Sequence, residues 1–251
     1  MNENTTPILI WFRRDLRLSD HPALSAACAS GRPVIPVFIY DDTVSALGAA
    51  PKFRLRLGLE ALQASLAAHG SRLILRRGPA FEVLRELIDQ TGAGAVCWSR
   101  LYDPTARERD SRIKSDLKQR GIEARSHPGH LLFEPWTVET QTGGFYRVYS
   151  PMWRAVARRE VGVPLPAPDR IPAPQSWPDS DRLHDWNMDA AMGRGASIVA
   201  AYNPSGETAA LDRLDQFTDE IIAGYKTQRD MVAIDGTSRL SDHLALGEIS
   251  P

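Results

Sequence analysis

Within residues 1–130, five short apolar segments alternate with four segments that carry the periodicity of an amphipathic helix. The predicted strands are residues 7–12, 34–40, 72–76, 95–99 and 122–126. The predicted helices are residues 22–29, 53–69, 79–90 and 104–120. Strands that alternate with helices of this length form a parallel sheet with helices on both faces. The alternation therefore predicts an α/β fold with a five-stranded parallel sheet and right-handed crossovers.

After residue 130 this alternation ends and a proline-rich connector follows. Six prolines lie at positions 164, 166, 168, 172, 174 and 178. Because proline fixes φ and has no backbone N–H, this stretch is predicted to be extended. We interpret it as a strap that lies along the surface.

Capping residues mark two helix starts: Asp20 is expected to cap the first helix, and Ser205 a helix that follows the connector. In the later helix, Leu211, Leu214, Phe217 and Ile221 are expected to form a buried stripe. The chain thus divides into an α/β domain (1–130), a linker (131–200) and the beginning of a helical domain (201–251). Because a helical piece this short buries its apolar face poorly, we expect the chain to be truncated.

Composition restricts the class of protein. Apolar residues make up 43% of the chain and charged residues 24%, as in ordinary globular proteins. The apolar stretch at residues 34–40 is far shorter than the ~20 residues that cross a membrane. Cys28 and Cys97 are too few for a disulfide scaffold, so we expect a cytoplasmic protein. The net charge of −1 gives no overall nucleic-acid signature.

Common catalytic motifs are absent from the sequence. It contains no glycine-rich dinucleotide loop, no Walker A loop, no nucleophile elbow and no His-Glu-x-x-His motif. His127 and His130 lie three residues apart, but no cysteines or carboxylates cluster with them, so we expect no metal site. The pattern alone identifies no catalytic side chain.

Charged residues cluster at positions 11–20, directly after the first predicted strand. This position is the carboxyl edge of the sheet, where open α/β folds bind ligands. The cluster contains three arginines and the two carboxylates of Asp15 and Asp20. This composition predicts an Arg–Asp network that braces the loop. This cluster could bind a ligand, or it could only join the domain to its neighbour. Physical reasoning alone favours the second interpretation.

A second cluster, at positions 236–241, combines hydroxyl groups with Arg239 just before a helical segment. Hydroxyls, free N–H groups and a guanidinium at a helix start can cradle a pyrophosphate. The simpler alternative is that Ser241 is an ordinary N-cap. Tyr225 and Arg229 lie upstream and could face the same cradle. Alternatively, Tyr225 is a half-buried packing residue.

Three segments taken together resemble the photolyase/cryptochrome family. They are residues 11–17 (WFRRDLR), residues 145–151 (FYRVYSP) and residues 225–251, which contain QRD at 228–230 and GTSRLS at 236–241. The resemblance extends in order over all 251 residues. It is greatest to bacterial cyclobutane pyrimidine dimer photolyases.

This resemblance implies a Rossmann-like α/β antenna domain, a linker and a helical FAD-binding domain, most of which is missing from the chain. Carried over position by position, the resemblance assigns to FAD the residues Tyr225, Thr237, Ser238, Arg239, Leu240 and Ser241. It assigns Arg229 to a DNA phosphate. The implied partner is UV-damaged DNA, and the implied state is a monomer without membrane association.

The resemblance also implies a light-driven reaction. An antenna chromophore passes excitation to reduced FAD, which gives an electron to a pyrimidine dimer flipped out of the duplex. The cyclobutane ring then splits and the electron returns. Two alternatives stay open: a cryptochrome-type blue-light photoreceptor and an inactive antenna-domain fragment.

One segment departs from the pattern of folate-binding bacterial members, which carry Asn-Glu after a tyrosine. Here Tyr102 is followed by Asp103, Pro104, Thr105 and Ala106. Because Ala106 has no carboxylate to hold a pterin, folate bound in that manner is not expected. A differently placed folate, a deazaflavin, a second flavin or an empty site stay open.

Overall fold

The computed structural model describes residues 5–251 and contains a five-stranded parallel sheet of spatial order β3-β2-β1-β4-β5. The strands are β1 (Ile8–Phe12), β2 (Val34–Tyr40), β3 (Ile74–Arg77), β4 (Ala95–Ser99) and β5 (Glu123–His127). The helices among them are α1 (Pro22–Ala29), α2 (Asp42–Ser45), α3 (Ala49–Ala68), α4 (Ala80–Thr91) and α5 (Pro104–Gln119). Those that follow are α6 (Tyr149–Val156), α7 (Gly195–Ala200), α8 (Glu207–Gln216), α9 (Tyr225–Gln228) and α10 (Ser241–Leu246). The predicted α/β fold is confirmed.

Each face of the sheet carries its own apolar core, because successive residues of a strand point to opposite faces. From β1, Ile8, Ile10 and Phe12 pack in the core that includes α1 and α3. Leu9 and Trp11 pack on the other face, with α4 and α5. All of β1 is buried, as expected for a parallel sheet covered on both sides. No helix within residues 5–251 is long and apolar enough to cross a bilayer.

The predicted cap of α1 is wrong. His21, not Asp20, is the N-cap, and its Nδ1 accepts a hydrogen bond from the N–H of Leu24 at 3.1 Å. Asp20 has a φ of +45°, and its carboxylate accepts from the N–H of Leu165 at 3.1 Å. An imidazole nitrogen caps α1 because the Asp20 carboxylate is used to hold the connector.

The proline-rich connector is extended as predicted, but it contributes to the core as well as to the surface. Ile171 in the connector and Trp186, in a short 3-10 helix (Leu183–Trp186) just after it, are both buried. The N–H of Val34 donates to the carbonyl of Pro172 at 2.8 Å. At the edge strand β3, the N–H of Leu75 donates to Oγ of Ser180, and its carbonyl accepts from Asp181. The connector therefore covers backbone groups that an open sheet edge would expose.

The start and the buried face of α8 differ from the prediction. The N-cap is Gly206 rather than Ser205, and a Cβ on Gly206 would lie 2.5 Å from that of Ala61. Of the predicted stripe only Ile221 is buried, whereas Leu211 is 40% exposed. Leu214 and Phe217 are half-buried. The start of α8 packs closely on α3 because it presents small residues there, and the leucine face is left open.

Candidate functional site

A cleft of about 760 Å³ lies at the carboxyl ends of β1, β2 and β4. The strand order reverses at β1, and open α/β sheets bind ligands at such a point. The α/β part lines the cleft with apolar side chains that include Trp11, Phe38, Val44, Leu47, Phe53 and Leu101. The remaining wall comes from later in the chain and consists of Met192, Val199, Asn203, Asp242, Ala245 and Leu246. The volume and apolar lining are typical of small-molecule sites.

Trp11 lines the cleft, and two guanidinium groups lie near its ring. The Cζ atoms of Arg13 and Arg109 lie 4.6 Å and 4.8 Å from the Trp11 ring centroid. Arg13 pairs with Asp110 at 2.8 Å, and Arg109 pairs with Asp41 at 3.0 Å. Both cations are therefore neutralised by carboxylates, and both interact with the Trp11 ring.

The loop after β1 joins the α/β part to the end of the chain, as the favoured interpretation predicts. Nε of Arg14 donates to the carbonyl of Ala245 at 2.9 Å. Nη1 of Arg17 donates to the carbonyl of Gly247 at 3.0 Å, and the N–H of Leu16 donates to Leu246. These bonds satisfy the carbonyls that α10 leaves free at its C-terminus.

The predicted Arg–Asp pairs within this loop are not formed. Asp15 is fully buried and lies 3.0 Å from Nε2 of His21, while it also accepts from the N–H of Arg13. Burial raises the pKa of the Asp15 carboxyl, but His21, His130 and the Arg13 N–H outweigh it and hold that pKa below its usual range. The arginine side chains instead bind backbone carbonyls and a carboxylate outside the loop, and Arg17 also donates to the carbonyl of Asp20 within it.

A buried carboxylate, Glu248, fixes α10 against α3. Both of its oxygens accept hydrogen bonds from Arg54, at 2.8 Å and 2.5 Å, and Nδ1 of His243 lies 2.6 Å away. A Cβ on Gly58 would lie 2.8 Å from Oε1 of Glu248, so this glycine leaves the room for it. Burial raises the pKa of Glu248, but the bonds from His243 and Arg54 hold it below 4.5. This group could not be predicted from local sequence patterns because Arg54 and Glu248 are 194 residues apart.

Residues 237–241 form an open turn with unused donors. Within residues 5–251, none of their backbone N–H groups donates a hydrogen bond, and neither do the hydroxyls of Thr237, Ser238 and Ser241. The N-cap of α10 is Leu240, without a side-chain cap, so the alternative that Ser241 is the N-cap is wrong. Arg239 has a φ of +51° and pairs with Asp235 at 2.8 Å. Free N–H and hydroxyl groups of this kind fit a phosphate.

Arg213 binds the backbone carbonyls of this turn, a contact that the sequence does not predict. Its Nε donates to the carbonyl of Ser238 at 2.8 Å, and Nη2 donates to Thr237 at 3.1 Å. Because the guanidinium binds the carbonyls, the N–H groups of the same turn are left for another partner. No local pattern predicts this contact, since Arg213 lies 24 and 25 residues before these carbonyls.

Tyr225 and Arg229 lie together, with the Arg229 Cζ 5.7 Å from the Tyr225 ring centroid. Tyr225 is 38% exposed and contacts Phe217 edge to face. The chain returns closely at Gly236, where a Cβ would lie 2.8 Å from the backbone of Gln228. The fold therefore brings the end of α9 next to the start of the 237–241 turn.

In the segment after β4, the Asp103 carboxylate and the Tyr102 hydroxyl both bind other groups of the protein. Ala106 lines the cleft, and its N–H donates to the Asp103 carboxylate, which caps α5, at 2.8 Å. The Tyr102 hydroxyl donates to Glu134 at 2.9 Å. Burial and this carboxylate raise the pKa of Tyr102 to about 12.

Comparisons with known proteins show which family this chain resembles. The family model for DNA photolyase matches residues 8–172. A deoxyribodipyrimidine photo-lyase from Agrobacterium fabrum is 44% identical over 100% of this chain and 53% of its own length. Cryptochrome-2 from Arabidopsis thaliana is 32% identical over 96% of this chain and 41% of its own length.

Solved structures agree as well. A bacterial class III photolyase from Agrobacterium tumefaciens superimposes with a TM-score of 0.95 at 44% identity, covering 98% of this chain and 52% of that one. The chain spans about half the length of the photolyases that it matches. The family model covers well over half of the chain, and the match to the Agrobacterium fabrum photo-lyase extends over all of it. The chain belongs to the DNA photolyase family.

Proposed function

We propose that this chain acts in light-dependent repair of cyclobutane pyrimidine dimers in UV-damaged DNA. The observation that carries the proposal is the position of α10. This helix begins at the open 237–241 turn and ends at Ala245 and Leu246 in the wall of the cleft. A helix of six residues spans about 9 Å, so two ligand sites would be held at a short, fixed separation. Transfer of excitation between two chromophores requires such an arrangement.

The first of these sites would hold FAD. The N–H groups and hydroxyls of Thr237, Ser238, Leu240 and Ser241 would bind its phosphates, with the Arg239 guanidinium beside them. Tyr225 would contact the cofactor, and the exposed Arg229 would contact a DNA phosphate, which adds affinity but little sequence readout. When bound and reduced, FAD supplies the excited-state electron that splits the dimer. The protein residues bind and orient it.

The second site is the cleft, which would hold an antenna chromophore in the α/β domain at residues 1–130. A folate in a different position, a deazaflavin or a second flavin are the candidate ligands. In this division, residues 131–200 are the linker and residues 201–251 begin the FAD-binding domain.

A blue-light photoreceptor is the second candidate function. It is favoured by the 32% identity to a plant cryptochrome over almost the whole chain. The cleft and the open turn would serve both functions equally. An experiment that distinguishes the two functions must therefore measure DNA repair directly.

Disruption of the reading frame in its native host tests the proposal. After UV irradiation, the disrupted strain should survive less well than the parent during recovery in blue light, and equally well in darkness. A wild-type copy should restore survival, Arg239→Ala should restore less of it, and the exposed Arg112→Ala should restore it fully. Equal survival of both strains in light and in darkness would contradict repair and favour the photoreceptor.

A further inference from the structure

One carboxylate, Asp235, is shared by two arginines just before the 237–241 turn. Its Oδ1 lies 2.8 Å from Nε of Arg239, four residues later in the chain. Nη2 of Arg213, on α8, donates to both oxygens of the same carboxylate, at 3.3 Å and 3.5 Å. The side chains of Asp235 and Arg239 are 43% and 65% exposed. Because an ion pair so open to water contributes little, another anion can replace Asp235 at Arg239 at small cost.

Arg239 is the only charged residue of the turn. A phosphate bound to the free N–H groups of the turn would accept hydrogen bonds from the same guanidinium that now pairs with Asp235. The carboxylate and the phosphate therefore compete for one cation. Displaced from Arg239, Asp235 would still keep Arg213 as a counter-charge.

Arg213 is much less exposed, and its other bonds fix the backbone of the turn. Its side chain is 17% exposed, and Nη1 donates to Gln216 at 2.8 Å. Nε and Nη2 donate to the carbonyls of Ser238 and Thr237. Arg239 follows directly with a φ of +51°, a conformation that a residue other than glycine keeps only where its surroundings impose it. Arg213 supplies such contacts.

The same two bonds determine where the N–H groups of the turn point. In a trans peptide the carbonyl and the following N–H point in opposite directions, and no peptide bond among the described residues is cis. Because the carbonyls of Thr237 and Ser238 face Arg213, the N–H groups of Ser238 and Arg239 face away from it. These donors are thus held on the open side of the turn.

We propose that Arg213 and Asp235 set the affinity of the 237–241 turn for an anion, and that they act in opposite directions. Arg213 is a positioning residue that holds the N–H groups of Ser238 and Arg239 towards the anion. Asp235 competes with the anion for the Arg239 guanidinium and is displaced when the anion binds. This inference rests on the proposed binding of FAD phosphates at the turn. It adds that two residues outside the turn control that binding.

Calorimetric titration of the purified chain with inorganic pyrophosphate, at one fixed salt concentration, tests the inference. The wild-type chain should bind this probe. Arg239→Gln should bind it about 10-fold more weakly, which locates the probe at the turn. Arg112→Gln removes an exposed arginine that pairs with Glu108, and it should bind as the wild type does.

Asp235→Asn distinguishes competition from a structural role. This variant should bind pyrophosphate about 2- to 5-fold more tightly, because Arg239 no longer has to leave a carboxylate. If Asp235 only supported the turn, the same substitution would weaken binding. Asp89→Asn removes an equal charge from an exposed pair with Arg120, so it controls for net charge and should leave the affinity unchanged.

Substitutions of Arg213 test the positioning role. Arg213→Gln should bind pyrophosphate about 10-fold more weakly. Arg213→Lys should recover part of this loss because it keeps the charge but not the fork that reaches two carbonyls. Circular dichroism shows whether each variant is folded, and the tighter binding expected of Asp235→Asn tests the inference even if loss of Arg213 unfolds the end of the chain.

The contrary results have distinct meanings. Unchanged affinity in Asp235→Asn or in a folded Arg213→Gln, or weaker binding by Asp235→Asn, overturns the inference but leaves the turn as a phosphate site. Absence of pyrophosphate binding by the wild-type chain, or binding that Arg239→Gln does not weaken, overturns the inference together with the proposed use of the turn.

Discussion

Replacing Glu248 with alanine should lower the free energy of unfolding of this chain by about 3–5 kcal/mol. The carboxylate is fully buried, and it accepts two hydrogen bonds from Arg54 and lies 2.6 Å from His243. Its removal leaves the Arg54 guanidinium buried without its main counter-charge, which costs more than the ion pair contributes. Urea titration followed by circular dichroism measures the change.

The matched control is Glu60→Ala, which removes a carboxylate from the same helix that carries Arg54. Glu60 is a half-exposed partner of Arg56, so its loss should change stability by less than about 1 kcal/mol. Equal effects of the two substitutions would show that the Glu248 pair does not fix α10.

The same pair has a signature in pH. The pKa of Glu248 in the folded chain lies below the 4.5 of an ordinary glutamate, so the folded state favours the charged form. Its contribution is therefore fully present above pH 4.5 and is lost as the pH falls through the lower folded-state value. The wild-type chain should lose more stability on acidification than Glu248→Ala does.

Replacing Trp186 with alanine should cost about 3–5 kcal/mol of unfolding free energy. The ring packs 5.2 Å from Tyr40 and 6.2 Å from Phe38, centroid to centroid, and Nε1 donates to Asp181 at 3.1 Å. Loss of the ring leaves a cavity between the 3-10 helix after the connector and β2, and it removes the bond to Asp181, which covers β3. Thermal and urea unfolding measure the loss.

Trp136→Ala is the control for this prediction, because Trp136 is 59% exposed and packs on no buried cluster. It should change stability by less than about 1 kcal/mol. A Trp186→Ala chain as stable as Trp136→Ala would mean that the connector does not belong to the folded core.

The sheet was predictable from the sequence because its signals are local. Strand residues 34–40 and 95–99 are bounded by turn residues, and their predicted ends match β2 and β4. The turn was recognisable for the same reason, since its hydroxyls and Arg239 lie within five residues of sequence.

The contacts that position the site were not predictable, because their partners are distant in sequence. Glu248 and Arg54 meet only after α10 docks on α3, and Arg213 reaches the turn from another helix. Asp20 was expected to cap α1, yet tertiary structure gave that carboxylate another partner and left the cap to His21. Local patterns predict elements, whereas side-chain partners depend on how the elements pack.

The leucine face of α8 shows a related limit. Periodicity correctly predicted a helix there, but burial of a face depends on what packs against it. Leu211 is 40% exposed because α8 contacts α3 through Gly206 and its neighbours instead. A helical period therefore predicts an apolar face without predicting its partner.

The most direct test of the account is an absorption spectrum of the purified chain after incubation with FMN or folic acid and removal of unbound ligand. We expect an absorption band at longer wavelength than the tryptophan band. Ala50→Trp, which fills the cleft from an exposed position on α3, should abolish it. Ala68→Trp, at the far exposed end of the same helix, should leave it intact. A protein-only spectrum with both ligands, or a band that survives Ala50→Trp, would contradict the proposal that the cleft holds a chromophore.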